Sequence, residues 1–128
     1  MTSRLTELAI DCRQPQQLAK FWCEALGYRI IDDSGDEVEI ADWEPANEAV
    51  QQEPVPPTLL FCRVPEDKAV KNRLHLDISP VDCAQDDEVD RLLALGARRV
   101  DIGQGEQTWV VLADPEGNEF CVLRTRRP

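Results

Sequence analysis

Leu8-Ala9-Ile10-Asp11 leads through an amphipathic run to Ala25-Leu26-Gly27 and on to Tyr28-Arg29-Ile30-Ile31. Past the middle of the chain the same order returns: Leu74-His75-Leu76-Asp77, a second amphipathic run to Ala94-Leu95-Gly96, then Ala97-Arg98-Arg99-Val100. Strand, helix, glycine stop and strand, repeated within 128 residues, imply a duplicated module whose copies share one core. That length is near the common size of one domain and too short for two independent ones. The reading is one domain over 1–128, with module one at 1–64, a connector at 65–73 and module two at 74–128. Function is expected in the cleft between the copies.

Working outward, Leu5 to Asp11 reads as a strand by alternation, and Pro15 suits the first turn of the helix that follows. Leu18, Phe21, Trp22, Ala25 and Leu26 fall on one helical stripe, and Gly27 supplies a left-handed stop. Tyr28–Ile31, Glu37–Asp42 and Thr58–Val64 complete a first module of one strand, one helix and three strands. The stretch from Glu44 to Pro57 is polar and proline-rich and reads as a long loop. In the second half, Leu74–Ile78 reads as a strand. Asp86, Asp87 and Glu88 open a helix that buries Val89, Leu92 and Leu93. Strands are expected at Arg98–Ile102, Thr108–Ala113 and Glu119–Arg124, the last two joined by the turn Asp114-Pro115-Glu116-Gly117-Asn118.

A net charge of −11 argues against a nucleic-acid footprint, which needs clustered Lys and Arg. No apolar run approaches the length of a membrane span, and the first residues lack the apolar segment of a secretory signal. The five cysteines are odd in number, widely spaced and form no Cys-x-x-Cys pair, which disfavours a disulfide framework or a zinc ribbon. A cytoplasmic protein without nucleic-acid or membrane partners is the expectation.

Several motifs carry a family resemblance: Leu18-Ala19-Lys20-Phe21-Trp22 with Leu26-Gly27-Tyr28, the segment from Val64-Pro65-Glu66 to Leu74-His75-Leu76-Asp77, Leu95-Gly96-Ala97, and Ala113 to Leu123. The chain resembles the vicinal oxygen chelate superfamily, which holds glyoxalase I, bleomycin-resistance proteins, fosfomycin-resistance enzymes and extradiol dioxygenases, and within it the glyoxalase-like branch. The resemblance implies an α+β fold of two βαβββ modules whose curved mixed sheet forms a cup with helices outside. It also implies a homodimer. One architecture hosts many chemistries, so the resemblance speaks to fold more than to reaction.

In metal-using relatives, four side chains in the cup hold a divalent ion. The family register places Glu7 at the first such position and His75 on the matching strand of module two. A carboxylate and an imidazole suit a divalent ion. Near Leu60 to Cys62 the third position finds neither carboxylate nor histidine, and the fourth falls on Cys121, where metal-using families place Glu. Glu7, His75 and Cys121, with Cys62, could hold zinc. The competing reading is that these are packing residues.

His75, the only histidine, has three readings: a neutral imidazole in the core, a metal ligand, or a general acid or base, with Glu7 and Asp77 as its partners. His75 and Asp77 share a strand face. Trp22 reads as core. Trp43, Trp109, Cys62 and Glu119 are candidate ligand contacts, because indole offers flat apolar area and one donor, and Glu119 lies on the Cys121 face of its strand. Lys68, Lys71 and Arg73 read as a solvated connector. The reading favours a small-molecule binder that lacks the complete metal quartet. The alternative is an enzyme of lyase, isomerase or dioxygenase type that uses His75 with or without a divalent metal.

Overall fold

A computed structural model describes residues 1–44, 54–101, 103, 105 and 107–128. Most of the expected Glu44–Pro57 loop, and Ile102 at the end of an expected strand, lie outside the described residues. The chain divides into two compact units, Met1–Asp67 and Lys68–Pro128.

The first unit runs β1 (Glu7–Cys12), α1 (Pro15–Leu26), β2 (Arg29–Asp33), β3 (Glu37–Ala41) and β4 (Thr58–Arg63). The second repeats that order as β5 (Asp77–Ile78), α2 (Gln85–Leu95), β6 (Arg98–Arg99), β7 (Val110–Ala113) and β8 (Glu119–Val122). The sheets match as well, with strand orders β1-β4-β3-β2 and β5-β8-β7-β6. In both, the first strand pairs parallel with the last and the remaining pairings are antiparallel. The duplicated βαβββ pattern and the α+β class are therefore present in the structure.

Alternation explains which face of each sheet packs. In the first unit Val38, Ile40, Leu59 and Phe61 are buried, and α1 packs on β3 and β4. Leu18, Phe21, Trp22 and Ala25 are buried on the expected stripe of α1. Gly27 ends α1 at φ +71°, and its N–H donates to the Cys23 carbonyl at 2.9 Å. The alternate residues lie on the other face, where Glu7, Ala9 and Asp11 on β1 and Glu37 on β3 are exposed and Glu39 is half-buried. In the second unit Leu112, Phe120 and Val122 are buried alongside Val89 and Leu92 of α2, and Val111, Ala113 and Cys121 are buried on the opposite face.

Four strands are at least two residues shorter than their sequence suggests, β8 among them because it stops at Val122 rather than Arg124. Of Leu74–Ile78 only Asp77–Ile78 forms a ladder, and Leu74 is exposed. Among the described residues of Arg98–Ile102, Arg98–Arg99 forms one, with Val100 adding one N–H to the Val111 carbonyl at 3.3 Å. Trp109, expected within a strand, lies just before β7. An extended segment joins a ladder only where a partner backbone runs alongside it.

Candidate functional site

The polar cluster of the second unit forms where β5 meets β8. Parallel pairing sets Asp77 opposite Cys121, and period two brings His75 onto the same side as Asp77. His75 Nδ1 lies 3.0 Å from Asp77 Oδ1 and 3.9 Å from Cys121 Sγ. Both His75 and Asp77 remain more than 40% exposed, whereas Cys121 is buried at 5%. An imidazole that accessible is not a packed core histidine.

A carboxylate beside Nδ1 favours the tautomer with its proton on that nitrogen. The Nε2 lone pair is then left for a ligand. Burial first, then the charge and hydrogen bond of Asp77, push the Cys121 thiol up to about 11 against a small opposing pull from Lys71. Cys121 is therefore a neutral S–H at pH 7 and a poor nucleophile. We expect it to carry about a hundredfold less thiolate at pH 8 than an ordinary cysteine, so that iodoacetamide labels it slowly and labelling accelerates as the pH approaches 11. Peptide-resolved mass spectrometry checks this, and fast labelling at pH 8 would contradict it.

The three donor atoms of His75, Asp77 and Cys121 lie within 4.8 Å of one another. A tetrahedral ion bonding nitrogen at ~2.0 Å and sulfur at ~2.3 Å needs donors roughly 3.5 Å apart, so this set would draw in slightly around one; imidazole, carboxylate and thiolate are all zinc ligands. The donors therefore fit a zinc-type ion with one position open. Binding would displace the Cys121 proton. In that role Asp77 joins His75 and Cys121 in the set.

Glu7 belongs to the first unit, where its neighbour is Glu39. Desolvation, then a hydrogen bond with Glu39 and the charges of Glu39 and Glu37, raise the Glu7 carboxyl. Thr58 Oγ1 donates to Glu39 Oε2 at 2.7 Å. Neither Glu39 nor Thr58 was anticipated, although the alternation Glu37-Val38-Glu39-Ile40 already turns both glutamates away from the core. Cys62 is half-buried on β4, opposite Asp11 and Glu37, and burial followed by the charges of Glu37, Asp11 and Glu7 raises its thiol. The register Asp11 to Cys62 in the first unit thus repeats Asp77 to Cys121 in the second.

Trp43 spends its one donor on the Pro56 carbonyl at 3.0 Å. Trp109 is 37% exposed. Glu119 is occupied: Oε1 accepts from Lys68 Nζ at 2.8 Å and Oε2 from the Asn72 N–H at 3.0 Å. Desolvation pushes its carboxyl up, but the hydrogen bonds from Lys68 and Asn72 outweigh it and hold it below the ordinary range. Lys68, expected to be a solvated connector residue, is instead largely covered in this ion pair.

The chain matches the model of the glyoxalase-like domain family over residues 7–123. It belongs to that family. The glyoxalase-like domain shares its fold with solved structures of the vicinal oxygen chelate superfamily. It is similar to a fosfomycin resistance protein, FosX, from Mesorhizobium loti, with TM-score 0.67, 14% identity, and coverage of 98% of this chain and 95% of that one. Against a glyoxalase/bleomycin resistance protein/dioxygenase family enzyme from Burkholderia phytofirmans PsJN the values are 0.66, 16%, 94% and 97%. FosX from Listeria monocytogenes, solved as a variant with Mn(II) and 1S,2S-dihydroxypropylphosphonic acid, gives 0.64, 15%, 96% and 90%. No curated protein matches the chain.

Proposed function

We propose that this glyoxalase-like domain binds a small, oxygen-rich organic molecule at the His75–Asp77–Cys121 cluster, with His75 Nε2 as the group that meets the ligand. The 3.0 Å contact between His75 Nδ1 and Asp77 Oδ1 carries this reading. It fixes the ring's orientation and leaves an accessible acceptor, which is what a ligand hydroxyl or acid needs. The same dyad can take a proton from a bound ligand at Nε2 while Asp77 stabilises the imidazolium. The small oxygenated ligand in one FosX structure is consistent with that size class. Glu7, Trp43, Trp109 and Cys62 stay as candidate ligand contacts in this reading. A cytoplasmic homodimer is part of it as well, on family habit.

The donor spacing favours a second reading, an enzyme in which His75, Asp77 and Cys121 hold a divalent ion. A bound ion would supply Lewis-acid polarisation of ligand oxygens. The chain's own part would be to supply these three donors and to surrender the Cys121 proton.

A thermal-shift screen of hydroxy acids, keto acids and antibiotics against the wild type and H75A tests the first reading. A ligand at a hundredfold its Kd stabilises by about 2.7 kcal/mol, a shift of several degrees. We expect that shift in the wild type and its loss in H75A, and hits that shift both proteins equally would sink the proposal. Metal analysis of protein purified without chelators decides between the readings. Stoichiometric metal that disappears in H75A and C121S would favour the second.

A further inference from the structure

The segment from Lys68 to Leu76 reaches β5 with little to hold it. Its ladder is two residues long, extended by the Cys121 N–H to the Leu76 carbonyl at 2.9 Å. Apolar burial does not anchor it, since Val70 and Leu74 are 78% and 81% exposed. Two of the three remaining ties converge on one carboxylate. Glu119 takes Lys68 Nζ on one oxygen and the Asn72 N–H on the other, and Asn72 Nδ2 donates to Asn118 Oδ1 at 3.1 Å. Both side chains of the ion pair are mostly covered, so the pair is less screened than a surface salt bridge. Each oxygen of Glu119 is thus already engaged by a donor from this segment.

We infer that Glu119 is a positioning residue: through Lys68 and Asn72 it fixes the approach to β5 and thereby sets the His75 ring against Asp77 and Cys121. Only Arg73 and Leu74 separate Asn72 from His75, and nothing else among the described residues ties either of them to the sheet. Loss of the Glu119 contacts leaves Asn72 held only through Asn118 and loosens the backbone that carries the ring. The functional consequence rests on the proposed role of His75, but the geometric claim does not.

The test therefore uses no ligand. His75 is the only histidine, so its ring signals are unique in the spectrum, and its 15N shifts report the proton's position between Nδ1 and Nε2. In K68M and E119L we expect the Nδ1–H form to lose population and trypsin to cut after Lys71 and Arg73 at least tenfold faster. E119Q keeps an acceptor for the Asn72 N–H and should fall between them and the wild type. Far-UV circular dichroism confirms folding, and K68M keeps the test valid if E119L fails to fold. Ring signals unchanged from the wild type in folded K68M and E119L would overturn the inference, even with faster cleavage, because Glu119 would then anchor the chain without placing the ring. Failure of H75A to lose ligand binding would sink the functional proposal and leave this result standing.

Discussion

Replacing Asp114 with alanine is expected to destabilise the protein by roughly 3 kcal/mol, the range in which a buried, charge-assisted hydrogen-bond network is lost. Asp114 is 1% exposed. Its Oδ1 accepts the N–H groups of Glu116 and Asn118 at 2.9 and 3.0 Å, and the Asn118 amide adds contacts to both oxygens. The backbone closes the same turn, with the Gly117 N–H on the Asp114 carbonyl at 2.8 Å and Gly117 at φ +90°. Alanine removes the acceptor of three donors at once, although the partial exposure of Glu116 and Asn118 lets water recover some of the loss. Asparagine keeps one acceptor and should cost about half as much. The effect reaches the site, because the turn aligns β7 with β8 and holds the Asn118 that receives Asn72. Chemical denaturation of both variants measures the difference; an alanine variant within 0.5 kcal/mol of wild type, the ~0.5 kcal/mol scatter of surface changes, would contradict the argument.

The second large effect is expected at Trp22. Truncation to alanine should cost about 3–5 kcal/mol, as for other fully buried aromatic residues. Trp22 is 1% exposed, and its ring meets Phe21 edge to face at 5.2 Å and 86°. α1 has no side-chain cap at Gln14, so its packing on β3 and β4 supplies most of its stability. Domains of this kind hold only about 5–15 kcal/mol in total. A melting temperature lower by roughly 15 °C is the expected reading, with W22F retaining part of the loss. A shift of two or three degrees would mean that the helix is held by something other than this stripe.

The helices were the most legible parts of the chain, because a stripe such as Leu18, Phe21, Trp22 and Ala25 can face only one way. The repeat was legible too, since Leu8-Ala9-Ile10-Asp11 and Leu74-His75-Leu76-Asp77 open their units alike. Strand ends were not, because Leu74 looks like a strand residue whether or not a neighbouring backbone meets it. The shared side of His75 and Asp77 follows from period two alone. The nearness of Cys121 needs the β5–β8 register, which no local pattern encodes. Capture of Glu119 by Lys68 and Asn72 lies furthest from the sequence, joining residues about fifty positions apart through the path of an irregular segment. The repeat also exposes an asymmetry: Asp11 faces Cys62 as Asp77 faces Cys121, but Ala9 stands where the second unit has His75.

In each unit the opening strand lies beside the closing one, parallel to it. During synthesis, therefore, Leu8 and Ile10 leave the ribosome long before Leu59 and Phe61, and β1 has no sheet to join until β4 has been made. Parallel pairing over such a distance forms late and slowly. The newborn chain must carry an unmated, partly apolar β1 through most of the first unit's translation.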